Sequence, residues 1–452
     1  MKGLFVQTYG CQMNASDSDR MRAVLAPLGY ENVQRPDDAD LVLINTCSIR
    51  DKAEAKMESF AYDIKALKQN RPHMKIGVTG CVAQQEKEEI QKNLPFVDLV
   101  LGPDNIDELP WILEKLSHDS AERILRAEFD AESRVWHTKT ELLNPGATAF
   151  ISVMKGCDHF CSYCIVPMTR GREKSRPIAD VITDVKALVA RGVKEVTFLG
   201  QNINTYGKRS DESLHELFRR AHDIEGLERI RFTTSHPGDL KDELIRCFEE
   251  LPKLCSQFHL PVQSGSNRVL RAMRRFYTRE QYLERVGALK QARPDIAFST
   301  DLIVGFPGET EEEFEETYSL AAEVQYENSY SFLFSPRPGT AAALRPDDTS
   351  EFVKLGRLAK LQTRLKESSL AIHRAEVGKI KEILIEGPSK KTAAKFTGRT
   401  SQNTPVHVTA SPDIKAGDLV SVLITEGTLT HLLGEPVRAV ARSEMTLRPL
   451  SI

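Results

Sequence analysis

The sequence predicts an α/β multidomain chain: an N-terminal doubly wound parallel α/β domain, a central partial (β/α)6 barrel and a C-terminal small β-barrel. Three observations carry this. Short, β-rich apolar runs alternate with polar helical stretches over the first hundred residues. The alternation restarts at Ala149 and runs through six strand–helix units. From about Glu376 short strands separated by turn residues take over. At 452 residues the chain is too long for one core, and 40% apolar with 28% charged residues describes an ordinary globular protein.

Some function classes fall away at once. No apolar run reaches the roughly 18–20 residues of a membrane span. Met1–Gln7 turns directly into a strand-like run without signal-peptide architecture. The expected compartment is the reducing cytoplasm, where cysteines are better read as metal ligands than as disulfides. Net charge is −3, so nucleic-acid binding must rest on local basic patches.

In the first unit, residues 1–117, strands are expected at Leu4–Thr8, Leu41–Asn45, Lys75–Thr79 and Val97–Leu101, with helices at Asp17–Leu28 and Asp51–Gln69. The first three strands each end in a cysteine: Cys11, Cys47 and Cys81. The carboxyl ends of parallel strands converge on one edge, so these three should meet as a metal site. Buried core thiols are the alternative. Zinc is a rival occupant, but a structural zinc site wants a fourth ligand and none is evident. Residues 118–146 are charged and aperiodic and read as a linker, closed by Asn144-Pro145-Gly146.

The second unit spans residues 147–373. Strands are expected at Ala149–Met154, Glu195–Leu199, Arg229–Thr233, Gln257–Val262, Ala297–Val304 and Ser329–Phe334. A barrel short of eight units leaves a lateral opening suited to a macromolecular substrate. Cys157, Cys161 and Cys164 follow the first strand as C-x3-C-x2-C, at the catalytic end of such a barrel. Three thiolates hold a four-iron cluster by three irons and leave the fourth open for chemistry. His159 alone does not complete a zinc set. Arg170, Arg172, Lys174 and Arg176 look too dense for a core element; they read as contacts to RNA or to a cofactor carboxylate, or as a solvated loop. Arg268, Arg271, Arg274, Arg275 and Arg279 form a second basic run. Cys247 and Cys255 read as core thiols.

The third unit, residues 374–443, offers strands at Ile380–Ile385, Ala394–Gly398, Pro405–Val408, Leu419–Ile424 and Val437–Ala441. From His373 onward there are eleven Lys or Arg against eight Asp or Glu. Lys390, Lys391, Lys395 and Arg399 concentrate that charge, which makes them candidate RNA-phosphate contacts. A structural docking domain is the alternative.

The cysteine loop resembles that of the radical S-adenosylmethionine enzymes. Thr8-Tyr9-Gly10-Cys11-Gln12-Met13-Asn14, Asn45-Thr46-Cys47, Thr79-Gly80-Cys81 and Thr169-Arg170-Gly171-Arg172-Glu173 resemble the methylthiotransferases. So do His259–Ser266, Gly305–Thr310 and Ser335–Thr340. Asp17-Ser18-Asp19-Arg20-Met21 favours the tRNA branch, which converts N6-isopentenyladenosine beside the anticodon to its 2-methylthio form. The C-terminal unit resembles the RNA-binding TRAM domain. Met168 stands where this family usually has an aromatic.

The resemblance implies two 4Fe-4S clusters, one on each triad, and two S-adenosylmethionine molecules. One yields an adenosyl radical that removes hydrogen from carbon 2 of the adenine; the other methylates a sulfur at the N-terminal site. It places backbone contacts to the cofactor's amino end at Gly200, Gln201 and Asn202. By their strand-end placement Gln263 and Ser264 are candidates for the ribose and Ile303–Gly305 for the adenine, and Arg176, in the basic cluster, for the cofactor carboxylate. The implied partners are a tRNA anticodon stem-loop, an electron donor protein of flavodoxin or ferredoxin type and a sulfur source, with the chain a monomer. Sister activities on threonylcarbamoyladenosine or a ribosomal-protein aspartate are rivals. So is a non-catalytic iron–sulfur RNA-binding sensor.

Overall fold

Six parallel strands open the chain: β1 (Lys2–Tyr9), β2 (Tyr30–Asn32), β3 (Leu41–Thr46), β4 (Lys75–Gly80), β5 (Leu99–Leu101) and β6 (Ile124–Arg126). The computed structural model describes residues 1–48, 51–119, 122–129, 146–389 and 394–437. The sheet order is β2-β1-β3-β4-β5-β6. Every residue of β3 is buried, with a separate apolar core on each face of the sheet. That is the doubly wound arrangement its unbroken apolar strands demand. The first helix runs Gln12–Leu25, not Asp17–Leu28. It starts earlier because Cys11 sits at its N-cap and Asn14 closes a capping box. β6 falls inside the stretch expected to be a linker and extends the sheet by pairing with β5. Asn144 and Pro145 lie outside the described residues.

The second unit begins with β7 (Thr148–Ser152) and the short antiparallel pair β8 (Met154–Lys155) and β9 (Lys174–Ser175). It continues with β10 (Glu195–Leu199), β11 (Arg229–Thr233), β12 (Gln257–His259), β13 (Ala297–Val304) and β14 (Asn328–Leu333). β7, β10 and β11 form one parallel sheet and β12, β13 and β14 another. A parallel bridge between Ile230 and Leu254 joins them into an arc whose free edges are β7 and β14. Val196, Phe198, Ile230 and Phe232 point outward into the largest core, under helices such as Ile178–Ala190 and Glu311–Val324. A closed barrel packs its inner face with branched apolar side chains. Here the inner face carries Glu195, Thr197, Arg231 and Thr233 and stays open.

The helix Glu351–Ala375 leads to a closed barrel of β15 (Ile380–Pro388), β16 (Lys395–Arg399), β17 (Pro405–Thr409), β18 (Leu419–Gly427) and β19 (Leu432–Pro436). The last strand lies earlier than the expected Val437–Ala441; residues from 438 on are outside the described set. Gly434, a poor strand former, lies inside β19. A Cβ at Gly434 would come within 2.4 Å of Val422, so only glycine fits this register.

The loop between β16 and β17 docks under the arc. Arg229 donates to the Arg399 carbonyl at 2.7 Å, and Arg231 to the Thr400 and Ser401 carbonyls at 2.6 and 2.8 Å. The Ser256 N–H donates to the Ser401 hydroxyl at 2.8 Å. Among the described residues no helix is long and apolar enough to cross a membrane.

Candidate active site

Sheet register assembles the first triad. Tyr9 pairs with Thr46, and Thr46 with Gly80, across adjacent strands β1, β3 and β4. Cys47 and Cys81 each follow their aligned residue by one position and Cys11 by two. The three therefore line up at the carboxyl edge, strand spacing apart. β1 sends one neighbour to each side, β2 and β3, so this edge is a topological switch point. Gly80 has φ +91, and a Cβ there would meet Asn45 Oδ1 at 2.3 Å, so glycine is what lets the strand turn.

The helix that follows Cys11 is pinned to β3. The Asn14 amide donates to Asn45 Oδ1 at 3.0 Å, and the Asn45 amide donates to the Asn14 carbonyl at 2.8 Å and to Ser18 Oγ at 2.9 Å. These polar motif residues hold the cysteine positions in place; sequence reasoning gave them no role. A hydrogen bond from the Cys47 thiol, assisted by Arg170, lowers the Cys11 pKa to about 6. Cys81 is pushed up by burial, against the pull of Arg170.

The second triad is local. Gly156 has φ +77, and a Cβ there would lie 2.1 Å from the Arg172 carbonyl. Its N–H donates to Gln201 Oε1 at 2.5 Å. The Cys157 N–H donates to the Gly171 carbonyl at 3.1 Å, and that of Ser162 to the Met273 carbonyl at 3.0 Å. His159 is bonded to Asp239, which also accepts from the Asn202 amide at 2.7 Å. Burial, with repulsion from neighbouring triad sulfurs, pushes Cys157 and Cys164 to about 12.

Each triad has a buried arginine aimed at one sulfur. Arg275 lies 3.8 Å from Cys161 Sγ and is held by the Pro261 carbonyl and Tyr277. Arg170 donates to Cys81 Sγ at 3.2 Å and pairs with Asp17 at 2.6 Å. Arg170 therefore joins the loop after the second triad to the first triad. The helix it follows, Val166–Thr169, packs on the helix Cys81–Glu86. The expectation that Arg170 and Arg176 were too dense for a core fails. Both are buried, because Asp17 and Asp184 meet them.

A chamber of about 830 Å³ runs from Cys11, Cys47 and Cys81, past Val166, Thr169, Gly200 and Gln201, along the inner face of the arc. Its far end is Arg399–Pro405 of the docked loop, apart from Thr400 and Ser401. Other expected cofactor residues are placed differently. The Asn202 side chain is spent on Asp239 and the His236 N–H. The Ser264 hydroxyl is turned away, onto Thr317 and the Ser266 N–H. Gln263, Ser264 and Gly305 are not among the residues lining the chamber, and the Gly305 N–H goes to Glu309. Arg176 is bonded to Asp184 and the Ser152 carbonyl, so it is not available to a cofactor carboxylate. Arg399 faces Glu386 and the chamber rather than open solvent. Lys395 starts β16, half-buried; Lys390 and Lys391 lie outside the described residues. Cys247 and Cys255 are core thiols, as expected.

The donor sets suit a polynuclear centre. Among the described residues the trio of ligand atoms within 4.8 Å of one another is His159, His236 and Asp239; neither cysteine triad is that tight. A single zinc ion, with Zn–S of about 2.3 Å, needs its sulfurs closer. Three soft sulfur donors set wider apart fit an iron–sulfur cluster.

Comparison with known proteins agrees with this geometry. Residues 3–102 match the uncharacterized protein family UPF0004, 151–321 the radical SAM superfamily and 374–437 the TRAM domain. The chain is 47% identical to the tRNA-2-methylthio-N(6)-dimethylallyladenosine synthase of Myxococcus xanthus, over 100% of this chain and 97% of that one. It is 44% identical to the Neisseria meningitidis protein of the same name, over 97% and 100%. The radical S-adenosylmethionine methyltransferase TsrM from Kitasatospora setae, solved with cobalamin and a 4Fe-4S cluster, shares the fold at a TM-score of 0.55 and 16% identity, covering 76% of this chain and 77% of its own. The chain belongs to the radical S-adenosylmethionine methylthiotransferases, in the family of the tRNA-2-methylthio-N(6)-dimethylallyladenosine synthases.

Proposed function

We propose that this chain attaches a methylthio group to carbon 2 of N6-isopentenyladenosine beside the tRNA anticodon. It would use two 4Fe-4S clusters and two S-adenosylmethionine molecules. The observation that carries this reading is one chamber that has the first cysteine triad in its wall and the helix following the second triad beside it. When bound, a reduced cluster supplies the one-electron cleavage of S-adenosylmethionine to an adenosyl radical, a route open to an aromatic C–H that carries no acidic proton.

The protein's own part is positioning and exclusion. Cys157, Cys161 and Cys164 hold one cluster and Cys11, Cys47 and Cys81 the other. Gln201 fixes the turn at Gly156, and the backbone of Gly200–Asn202 is left for the cofactor's amino end. Arg275 and Arg170 direct N–H groups at cluster-ligand sulfurs, which tunes the ligands without occupying the chamber. The gap between β7 and β14 admits a base turned out of its loop. The TRAM domain contributes RNA contacts. A flavodoxin- or ferredoxin-type donor, a separate sulfur source, a monomeric state and a cytoplasmic location complete the reading.

Nucleosides from a strain lacking the gene test it. Isopentenyladenosine should accumulate without its methylthio group, and the gene should restore the modification. An unchanged nucleoside profile would sink the assignment.

A further inference from the structure

The inner face of the arc is polar on its middle strands, with Thr197, Arg231, Gln257 and Ser299. Large exposed rings come from the two free edges: Phe150 of β7, and Tyr330 and Phe332 of β14. They are 36%, 45% and 40% exposed, and all three line the chamber. Tyr330 and Phe332 are two residues apart, so they share one face of their strand. Half-bare rings on both edges of an opening mark a binding surface rather than a core.

The charges in the chamber point the same way. Among the described lining residues, every cation or imidazole already faces an acid. Arg231 bonds Glu195 at 2.8 Å, Arg399 bonds Glu386 at 2.9 Å and Arg170 pairs with Asp17 at 2.6 Å. His259 lies 3.6 Å from Asp301 and His373 3.6 Å from Glu327. A ligand carboxylate entering here finds no spare cation and several like charges.

Resting on the tRNA reading above, we infer that Phe150, Tyr330 and Phe332 seat the target adenine and select an apolar N6 substituent over an anionic one. Aromatic rings stack on an unpaired base whatever its identity. The same rings bury a branched hydrocarbon arm well. A threonylcarbamoyl arm brings a carboxylate, which would be desolvated without a partner.

The test uses three anticodon stem-loop RNAs of one sequence, carrying N6-isopentenyladenosine, N6-threonylcarbamoyladenosine or plain adenosine. Fluorescence anisotropy with the full chain reads binding, and nucleoside mass spectrometry with the reconstituted enzyme reads conversion. The isopentenyl RNA should bind at least about tenfold more tightly than the threonylcarbamoyl RNA, within the range set by burying a hydrocarbon arm against desolvating an unpaired carboxylate. Phe332→Ala and Phe150→Ala should collapse that ratio, and Phe332→Leu, which keeps apolar bulk, should preserve most of it. A merely structural role would weaken all three RNAs alike and leave the ratio intact, which overturns the inference. So does a wild-type chain that binds both modified RNAs equally while converting one. A wild-type chain that neither binds nor converts any of them overturns the tRNA reading itself, a separate result.

Discussion

The two cysteine triads are built by opposite routes. Cys157, Cys161 and Cys164 come from one loop, fixed by local turns and a few backbone bonds. Cys11, Cys47 and Cys81 come from three strands, and meet only because the sheet register aligns Tyr9, Thr46 and Gly80. The first needs one loop to fold; the second needs a whole domain. Their electrostatics differ too. In the local loop, burial, reinforced by the neighbouring sulfurs, pushes Cys157 and Cys164 to about 12. At the sheet edge a hydrogen bond from Cys47, assisted by Arg170 of the neighbouring domain, lowers Cys11 to about 6, while burial raises Cys81. Burial raises thiols in both triads and each has one buried arginine; only at Cys11 does a hydrogen-bonding neighbour outweigh burial.

Breaking each triad in turn should give the largest effect. Cys161→Ala should abolish deoxyadenosine formation, a loss of at least about 1000-fold on the scale of removing the chemistry's central group. Cys47→Ala should keep S-adenosylmethionine cleavage and lose methylthio transfer, with bound iron falling from about eight to about four per chain. Equal loss of both activities in both variants would erase the distinction.

The next effect separates the two arginines. Arg170→Met removes one partner of a buried ion pair and leaves Asp17 charged and alone. We expect a loss of about 3–5 kcal/mol in denaturant unfolding, with iron lost first from the N-terminal triad. Arg275→Met should instead lower iron at the barrel triad and spare the other, read by electron paramagnetic resonance of the reduced centres.

Reactivity of the cluster-free chain gives the smallest but sharpest contrast. The thiolate is the nucleophile, so a lowered pKa brings alkylation down to lower pH. Cys11 should react with iodoacetamide from about pH 6 upward, while Cys157 and Cys164 resist until strongly alkaline pH. Peptide mass spectrometry across pH 6–10 reads this directly. Equal rates at the three positions would remove the electrostatic half of the comparison.

Much of this was legible in the sequence, and what was not has a common cause. Strand-end cysteines could be placed because parallel sheets have a fixed polarity, and C-x3-C-x2-C because its spacing is local. β2 and β6 were missed, since they are short and set among charged and polar residues; β5, equally short, was found by its apolar run. Arg170 and Arg176 were misjudged because burying a guanidinium depends on Asp17 and Asp184, and Asp17 lies in a different domain. Arg399 reads as an RNA contact in sequence; in the fold its carbonyl accepts from Arg229 and its guanidinium pairs with Glu386, neither of which a sequence displays. The signal for Phe150, Tyr330 and Phe332 was present: aromatics at alternate positions on the first and last strands of an open arc. It becomes meaningful only once those strands are known to be free edges.

The docked loop between β16 and β17 bears on how the molecule is made. Both triads are already encoded by Cys164, so a growing polypeptide carries all six triad cysteines early in translation. Its far wall is missing until Thr400 and Ser401 have left the ribosome and accepted the waiting guanidinium of Arg231. Completion of the last domain thus doubles as the step that supplies the far end of the chamber.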